Sequence, residues 1–214
     1  MVSDMRTRHS RALSIAASSL FGFVVLLAPV TSSAQTTAPS AGFAYGFQVH
    51  LWHFDPVARA NVIGDVTQAG FNWMTEQIEW QSVETDVGQY DWTNLDSIVG
   101  DGTRAGLRIM LSFAHAPAFY RSTTSGLMPA DPSTFGQFMQ AVASRYAGQI
   151  QAYELWNEEN LDREAGFGNV NPATFLPIQE AGYMGVKAGD PNAMVLLGAP
   201  SSTMAFGSPA LTPM

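Results

Sequence analysis

The stretch from Tyr153 to Asn160 constrains the fold of this chain more than any other part of the sequence. It is an apolar and aromatic run, Tyr-Glu-Leu-Trp, that ends abruptly in Asn-Glu-Glu-Asn. Buried strands are rich in such apolar residues, and they rarely accept a carboxylate that lacks a partner or a chemical task. Parallel α/β sheets present their ligand-binding and catalytic groups at the carboxyl ends of strands. We therefore predict a buried strand whose polar end lies at a functional edge of a sheet.

Predicted strands and helices alternate along the rest of the chain. The predicted strands are residues 43–51, 71–74, 107–113, the run before Glu158, and residues 194–197. Three helices are predicted to begin at Asp-Pro or Asn-Pro pairs, in which the first residue caps the helix and proline occupies its first position. The order β-α-β-α-β-α-β-α-β favours parallel strands with helical crossovers. It leaves open a barrel or a doubly wound sheet, although the first strand lacks the glycine-rich turn of nucleotide-binding sheets.

Residues 1–34 are predicted to be a signal peptide. Three arginines and a histidine between residues 6 and 11 precede an apolar run and the small-residue site Ser32-Ser33-Ala34. Cleavage there would give a secreted protein, periplasmic or extracellular, that keeps no membrane span. An uncleaved anchor helix is the alternative, because the apolar run is barely long enough to cross a bilayer. Residues 35–41 are predicted to be a linker, residues 42–202 the folded domain, and residues 203–214 an unstructured tail.

Charge and composition exclude several classes of function. The formal net charge of −8 argues against nucleic-acid binding, which needs a basic surface. The chain has no cysteine, so disulfides and thiolate metal sites are excluded. His50, His53 and Asp55 have a spacing that matches no pair of metal ligands on a helix or a strand, so no metal is expected.

Trp156-Asn157-Glu158 resembles the Trp-Asn-Glu signature that closes the fourth strand of clan A glycoside hydrolases, which are (β/α)8 barrels. Other stretches are similar, in the same order, to clan A enzymes of families 39 and 5: Gly70–Trp73, Gly88–Trp92, Gly106–Ile109, and residues 186–191. The resemblance implies a TIM-barrel α/β fold and a carbohydrate substrate. It also implies that Glu158 is the general acid/base, that Asn157 binds the sugar's 2-hydroxyl, and that no cofactor takes part.

Strand geometry complicates these two assignments. Alternation along a strand places Glu154, Trp156 and Glu158 on one face and Asn157 on the other. Asn157 and Glu158 can both reach a substrate only if the strand end twists or bulges.

Length is the main departure from the family that the chain resembles. A (β/α)8 barrel takes roughly 250 residues, so the expected fold is a barrel truncated after about five strands. The family's nucleophile is a Glu at the end of strand seven, which no residue here matches. Glu159 should point away from Glu158, and Glu76 is a weak candidate at the end of the second strand. The two open sheet edges predict edge-to-edge self-association.

Four more residues are predicted to contact the sugar. His50 and His115 follow the first and third strands, with a structural role as the alternative for each. Trp80 and Trp156 could stack on sugar rings, and burial in the core is their alternative. The expected function is a secreted glycosidase that cleaves O-glycosidic bonds of an oligo- or polysaccharide by a retaining mechanism. The alternatives are a degenerate barrel that binds carbohydrate without cleaving it and an unrelated five-stranded α/β module.

Overall fold

A computed structural model describes residues 44–202 of the protein. Within that range the strands are β1 (Gly46–Val49), β2 (Trp73–Glu79), β3 (Glu84–Asp86), β4 (Gln89–Tyr90), β5 (Arg108–Ala114), β6 (Ala152–Asn157) and β7 (Met194–Ala199). The helices are α1 (Pro56–Gln68), α2 (Thr93–Arg104), α3 (Pro132–Arg145), α4 (Asp162–Ala165) and α5 (Pro172–Gly189). The predicted signal peptide, linker and tail lie outside the described residues. No helix within the described range is long and apolar enough to cross a membrane.

Five strands form one parallel sheet in the order β1-β2-β5-β6-β7. This order follows the chain, and a helix lies in each connection between neighbouring strands. A doubly wound sheet would reverse its strand order at a switch point, whereas a barrel adds each strand beside the previous one. The described residues therefore form part of a (β/α) barrel, with β1 and β7 at the edges of the sheet.

The predicted helix starts at the Asp-Pro and Asn-Pro pairs are confirmed. Side-chain oxygens of Asp55, Asp131 and Asn171 accept hydrogen bonds from backbone N–H groups in the first turns of α1, α3 and α5. These bonds satisfy donors that a helix leaves unpaired at its start. Because each start depends only on neighbouring residues, the sequence predicts it well.

The structure corrects the predicted second strand. The prediction ended it at Met74, but β2 continues to Glu79, so the polar residues that follow Met74 lie inside the strand. Met74, Glu76 and Ile78 form its buried face, which places a carboxylate among apolar residues. The following segment contains the short antiparallel pair β3 and β4.

Helices α3 and α5 pack closely because glycines line their contact. A methyl group built on Gly189 would lie 2.6 Å from the backbone nitrogen of Ser144. One built on Gly185 would overlap the backbone carbonyl oxygen of Gly136. A methyl group built on Gly182, which precedes both of them on α5, would lie 2.8 Å from the ring of Phe135. This packing holds both helices against the outer face of β6 and its neighbours.

Gly185→Ala should destabilise the protein by about 1–3 kcal/mol, because its methyl group must push α5 away from the backbone of α3. Gly64→Ala is the matched control. It lies on the exposed side of α1, where an added methyl group meets nothing within 4 Å, and better helix propensity should stabilise it by up to about 1 kcal/mol. Thermal unfolding followed by circular dichroism measures both. Changes of the same sign would contradict the described helix packing.

Candidate active site

Polar side chains follow or end four neighbouring strands at one edge of the sheet. His50 comes after β1, Glu79 ends β2, His115 comes after β5, and Asn157 with Glu158 closes β6. All these strands are parallel, so their carboxyl ends meet at the same edge. This edge is where a (β/α) barrel carries its catalytic residues.

The backbone at this edge adopts conformations that cost energy. Among the described residues, the non-glycine residues with positive φ are His115 (57°), Trp156 (77°) and Glu158 (53°). The left-handed region costs roughly 1–2 kcal/mol for such residues, and such strain tends to cluster at functional sites. The regular alternation of β6 therefore breaks down at its end. Asn157 and Glu158 are both partly exposed as a result, as their predicted roles require.

Five ionisable side chains form a continuous chain of contacts along this edge, which we call the charge chain: Glu79, His115, Glu164, Arg163 and Glu158. Glu79 Oε1 lies 3.3 Å from Nδ1 of His115, and Nε2 of His115 lies 3.4 Å from Glu164 Oε1. The same Glu164 oxygen accepts a hydrogen bond of 3.1 Å from Nε of Arg163. Arg163 then forms an ion pair with Oε2 of Glu158. With His115 protonated, the charges alternate in sign along the whole chain.

Glu164 is the buried member of the charge chain. Its side chain is only 2% exposed, and its Oε2 accepts a hydrogen bond of 3.2 Å from Nε1 of Trp156. Buried carboxylates persist when they are paired and hydrogen-bonded, as this one is. The sequence analysis missed both Glu164 and Arg163. The one sequence feature that pointed to these two residues was the charged cluster Asp162-Arg163-Glu164 shortly after Glu158. Their helix, α4, could not be predicted, because four residues are too few to show a helical period.

The pKa values of two members of the charge chain are shifted from their ordinary values. The hydrogen bond with Glu164 is the main cause of a raised pKa for His115; burial opposes it, and the charges of Glu164 and Glu79 add to it. The pKa of Glu79 is lowered, first by a hydrogen bond from Gln81 and further by His115. His115 therefore holds its proton more strongly than an ordinary histidine.

Glu76 lies beside this edge but outside the charge chain. Its Oε1 accepts hydrogen bonds of 2.7 Å and 2.9 Å from the backbone N–H groups of Leu51 and Trp52. Its Oε2 is buried without a hydrogen-bond partner in the described structure. Burial raises the pKa of Glu76 to about 7, although the two backbone hydrogen bonds oppose the rise. These contacts give Glu76 a structural role, because they tie the β1–α1 loop to β2.

The structure does not support sugar contacts for Trp80 and Trp156, because both side chains are 0% exposed. The ring of Trp80 stacks on Tyr120 and Phe138, with centroids 5.2 Å and 5.0 Å apart. Trp156 packs edge-on against Phe135. Trp80 begins a 3-10 turn directly after β2, and Nε1 of its buried ring donates a hydrogen bond of 2.6 Å to Oε2 of Glu84.

His50 remains a candidate for substrate contact, because it is exposed at the edge of a pocket of about 180 Å³. The pocket is lined by His50, Trp52, His53, Glu76, Gln77, Glu79 and Ser82. Glu159 is buried whereas Glu158 is partly exposed, which agrees with the prediction that the two point in different directions. Between residues 44 and 202, no cluster of three or more His, Asp or Glu side chains could hold a metal ion.

Several solved structures with a similar fold are glycoside hydrolases. A family 39 glycoside hydrolase from Bacteroides cellulosilyticus WH2 has a TM-score of 0.59 at 19% identity, over 71% of this chain and 30% of that chain. GH5_18 from Streptomyces cattleya has a TM-score of 0.61 at 15% identity, over 74% of this chain and 45% of that chain. The exo-beta-1,4-mannosidase Op5Man5 from Opitutaceae bacterium strain TAV5 has a TM-score of 0.59 at 16% identity, over 72% and 31% respectively.

These similarities confirm the predicted fold type, a TIM barrel of the kind found in clan A glycoside hydrolases. The chain spans less than half the length of each of the three proteins. No protein-family model matches the sequence, and no curated protein matches it.

Glu76→Gln should remove a pH dependence of folding stability. The folded pKa of about 7 lies above the ordinary value of 4.5. The stability that this carboxyl group contributes is therefore fully present below about pH 4.5 and lost as the pH rises through 7. This elevation of the pKa corresponds to roughly 3 kcal/mol of unfolding free energy. Glutamine keeps the acceptor for the loop N–H groups and carries no charge, so the variant should gain stability over the wild type between pH 5 and pH 8.

Urea unfolding across that pH range measures this gain. The control is Glu180→Gln, which changes an exposed carboxylate on α5 and should leave the pH dependence unaltered. A stability difference between Glu76→Gln and wild type that stays constant with pH would show that Glu76 does not titrate in this range.

Proposed function

We propose that this chain carries the acid/base portion of a secreted retaining glycoside hydrolase that cleaves O-glycosidic bonds of an oligo- or polysaccharide. The observation that carries this proposal is the position of Glu158. It directly follows β6, the fourth strand of the parallel sheet, with a left-handed backbone at the edge where the strands end. Its sequence context, Trp156-Asn157-Glu158, resembles the clan A acid/base signature, and the fold is similar to that of clan A enzymes.

Hydrolysis of a glycoside requires a proton on the leaving oxygen as its bond to the anomeric carbon breaks. In this proposal the Glu158 carboxylic acid donates that proton while a second carboxylate attacks the anomeric carbon. The Glu158 carboxylate then removes a proton from the water that hydrolyses the glycosyl–enzyme intermediate. Asn157 hydrogen-bonds the sugar's 2-hydroxyl, a contact that strengthens in the transition state. We assign no nucleophile to residues 44–202.

Carbohydrate as the substrate class is supported by the similar structures. One of them is an exo-beta-1,4-mannosidase, and another was solved in complex with GlcNAc. Because this chain spans only part of their length, hydrolysis is proposed for the full natural protein.

Carbohydrate binding without cleavage is a second candidate function. The ion pair between Glu158 and Arg163 suits this function as well, because binding an oligosaccharide requires no proton transfer from Glu158. A barrel of this kind would bind oligosaccharides at the same edge and leave them intact.

Secretion is proposed from residues 1–34 and has its own test. The exported protein should begin at Gln35, because the basic segment, apolar run and Ser-x-Ala site occur in the order of a cleavable signal peptide. Amino-terminal sequencing of the protein from the culture medium or periplasm measures this. A membrane-bound product that retains Met1 would contradict it.

Glu158→Gln in the full natural protein should lower kcat on the order of 10²–10⁴-fold for glycosides with poor leaving groups. Activated aryl glycosides need little protonation, so their bond-cleavage step should lose far less. A series of aryl glycosides with different leaving-group pKa values measures this dependence. Glu180→Gln, an exposed carboxylate on α5, is the control and should behave as the wild type.

Equal losses for good and poor leaving groups would show that Glu158 is not the general acid. If the wild-type protein binds oligosaccharides in calorimetry but releases no sugar, the second candidate function replaces the first.

A further inference from the structure

We propose that Arg163 and Glu164 are positioning residues that hold the Glu158 carboxylate in its working orientation. This inference rests on the proposed function of Glu158. Neither residue is expected to touch the substrate's reacting atoms.

Glu164 has a fixed orientation because three different side chains hold it. Trp156, which is fully buried, donates a hydrogen bond to one of its oxygens, and Arg163 donates to the other. His115 approaches that second oxygen from β5, at 3.4 Å. Rotation of the carboxylate would break several of these contacts at a site that water does not reach. Glu164 is therefore a rigid anchor that joins the core to the sheet edge.

The backbone around Glu164 is equally restrained. Its carbonyl oxygen accepts a hydrogen bond of 2.9 Å from the backbone N–H of Leu127, in the β5–α3 loop. The segment after α4 is joined to the β5–α3 loop as well, because the side chain of Asn169 donates a hydrogen bond of 2.6 Å to the carbonyl oxygen of Thr124. A methyl group added to Gly126 would lie only 2.6 Å from the Glu164 carbonyl oxygen. Helix α4 therefore cannot shift without moving the β5–α3 loop.

Arg163 transfers this rigidity to Glu158. Its side chain is 61% exposed, and an arginine with that exposure would ordinarily sample many rotamers. The hydrogen bond from its Nε to Glu164 removes that freedom and directs Nη2 toward Glu158. Within the part of the chain that the structure describes, Arg163 is the one side chain that bonds the Glu158 carboxylate. Since the planar guanidinium presents donors in two fixed directions, it can hold both carboxylates at once.

A general acid must be oriented toward the leaving oxygen, and small displacements of such a group are costly to the rate. Loss of Arg163 should therefore lower kcat and leave KM nearly unchanged. Arg163→Gln should reduce kcat on the order of 10–100-fold for poor leaving groups, and less for activated aryl glycosides. Arg163→Lys keeps the charge but not the planar fork, so its loss should be smaller.

Arg108→Gln is the matched control, because Arg108 is an exposed arginine at the opposite, amino end of β5. It should leave kcat and KM unchanged in the full natural protein. The key comparison introduces Arg163→Gln into the Glu158→Gln background. If Arg163 acts through Glu158, the second substitution should cause no further loss. Full additivity of the two losses would overturn this inference.

A second measurement tests the anchor without any activity. Glu164→Gln should lower the pKa of His115, because it removes the contact that chiefly raises it, while Glu79 remains on the other side of the ring. Titration of the His115 ring protons by NMR measures this, and an unchanged pKa would overturn the anchoring role of Glu164.

The outcomes separate this inference from the function on which it rests. An inactive Glu158→Gln variant together with an unimpaired Arg163→Gln variant would overturn the positioning role alone. A fully active Glu158→Gln variant would overturn the proposed function and this inference with it.

Discussion

The buried carboxylate of Glu164 is the interaction on which the arrangement of this sheet edge depends. A carboxylate removed from water is tolerated only when its charge and lone pairs are satisfied. Here the core provides Trp156, the loop after β5 provides His115, and α4 provides Arg163. Each of these partners is thereby fixed in return. The buried Glu164 therefore determines the geometry of the exposed sheet edge, although a ligand bound at that edge need not contact Glu164.

This arrangement also explains how left-handed backbone persists at His115, Trp156 and Glu158. Each such residue costs roughly 1–2 kcal/mol, which must be offset elsewhere in the fold. The contacts of His115 and Trp156 with Glu164 hold two of these residues in place directly. The glycine-lined packing of α3 against α5 supports β6 from behind. The strain is therefore confined to the strand ends, where it turns Asn157 and Glu158 outward.

The sequence predicted the features that depend on neighbouring residues and missed those that depend on distant ones. The helix starts at Asp55, Asp131 and Asn171 require only a local cap. The strand before Glu158 is predicted by its apolar run alone. The predicted end of β2 was wrong because β2 accommodates the carboxylate of Glu76 within the strand. Backbone N–H groups of the β1–α1 loop donate hydrogen bonds to this carboxylate, and such a tertiary contact is not visible in the sequence. Arg163 and Glu164 were missed because their role exists only once β5, β6 and α4 meet.

The order of strands in the sheet has a consequence for how the protein forms during synthesis. Each strand pairs with the one made just before it in the sheet, so most pairings close over short lengths of chain, which favours rapid folding. A nascent chain emerging at about 5–20 residues per second can add each strand to an edge that already exists. Glu79 and His115 come into contact as β5 pairs with β2, before Arg163 and Glu164 have been synthesised. Three of the five strands of the sheet, β1, β2 and β5, can therefore pair before the two residues that hold Glu158 have been synthesised.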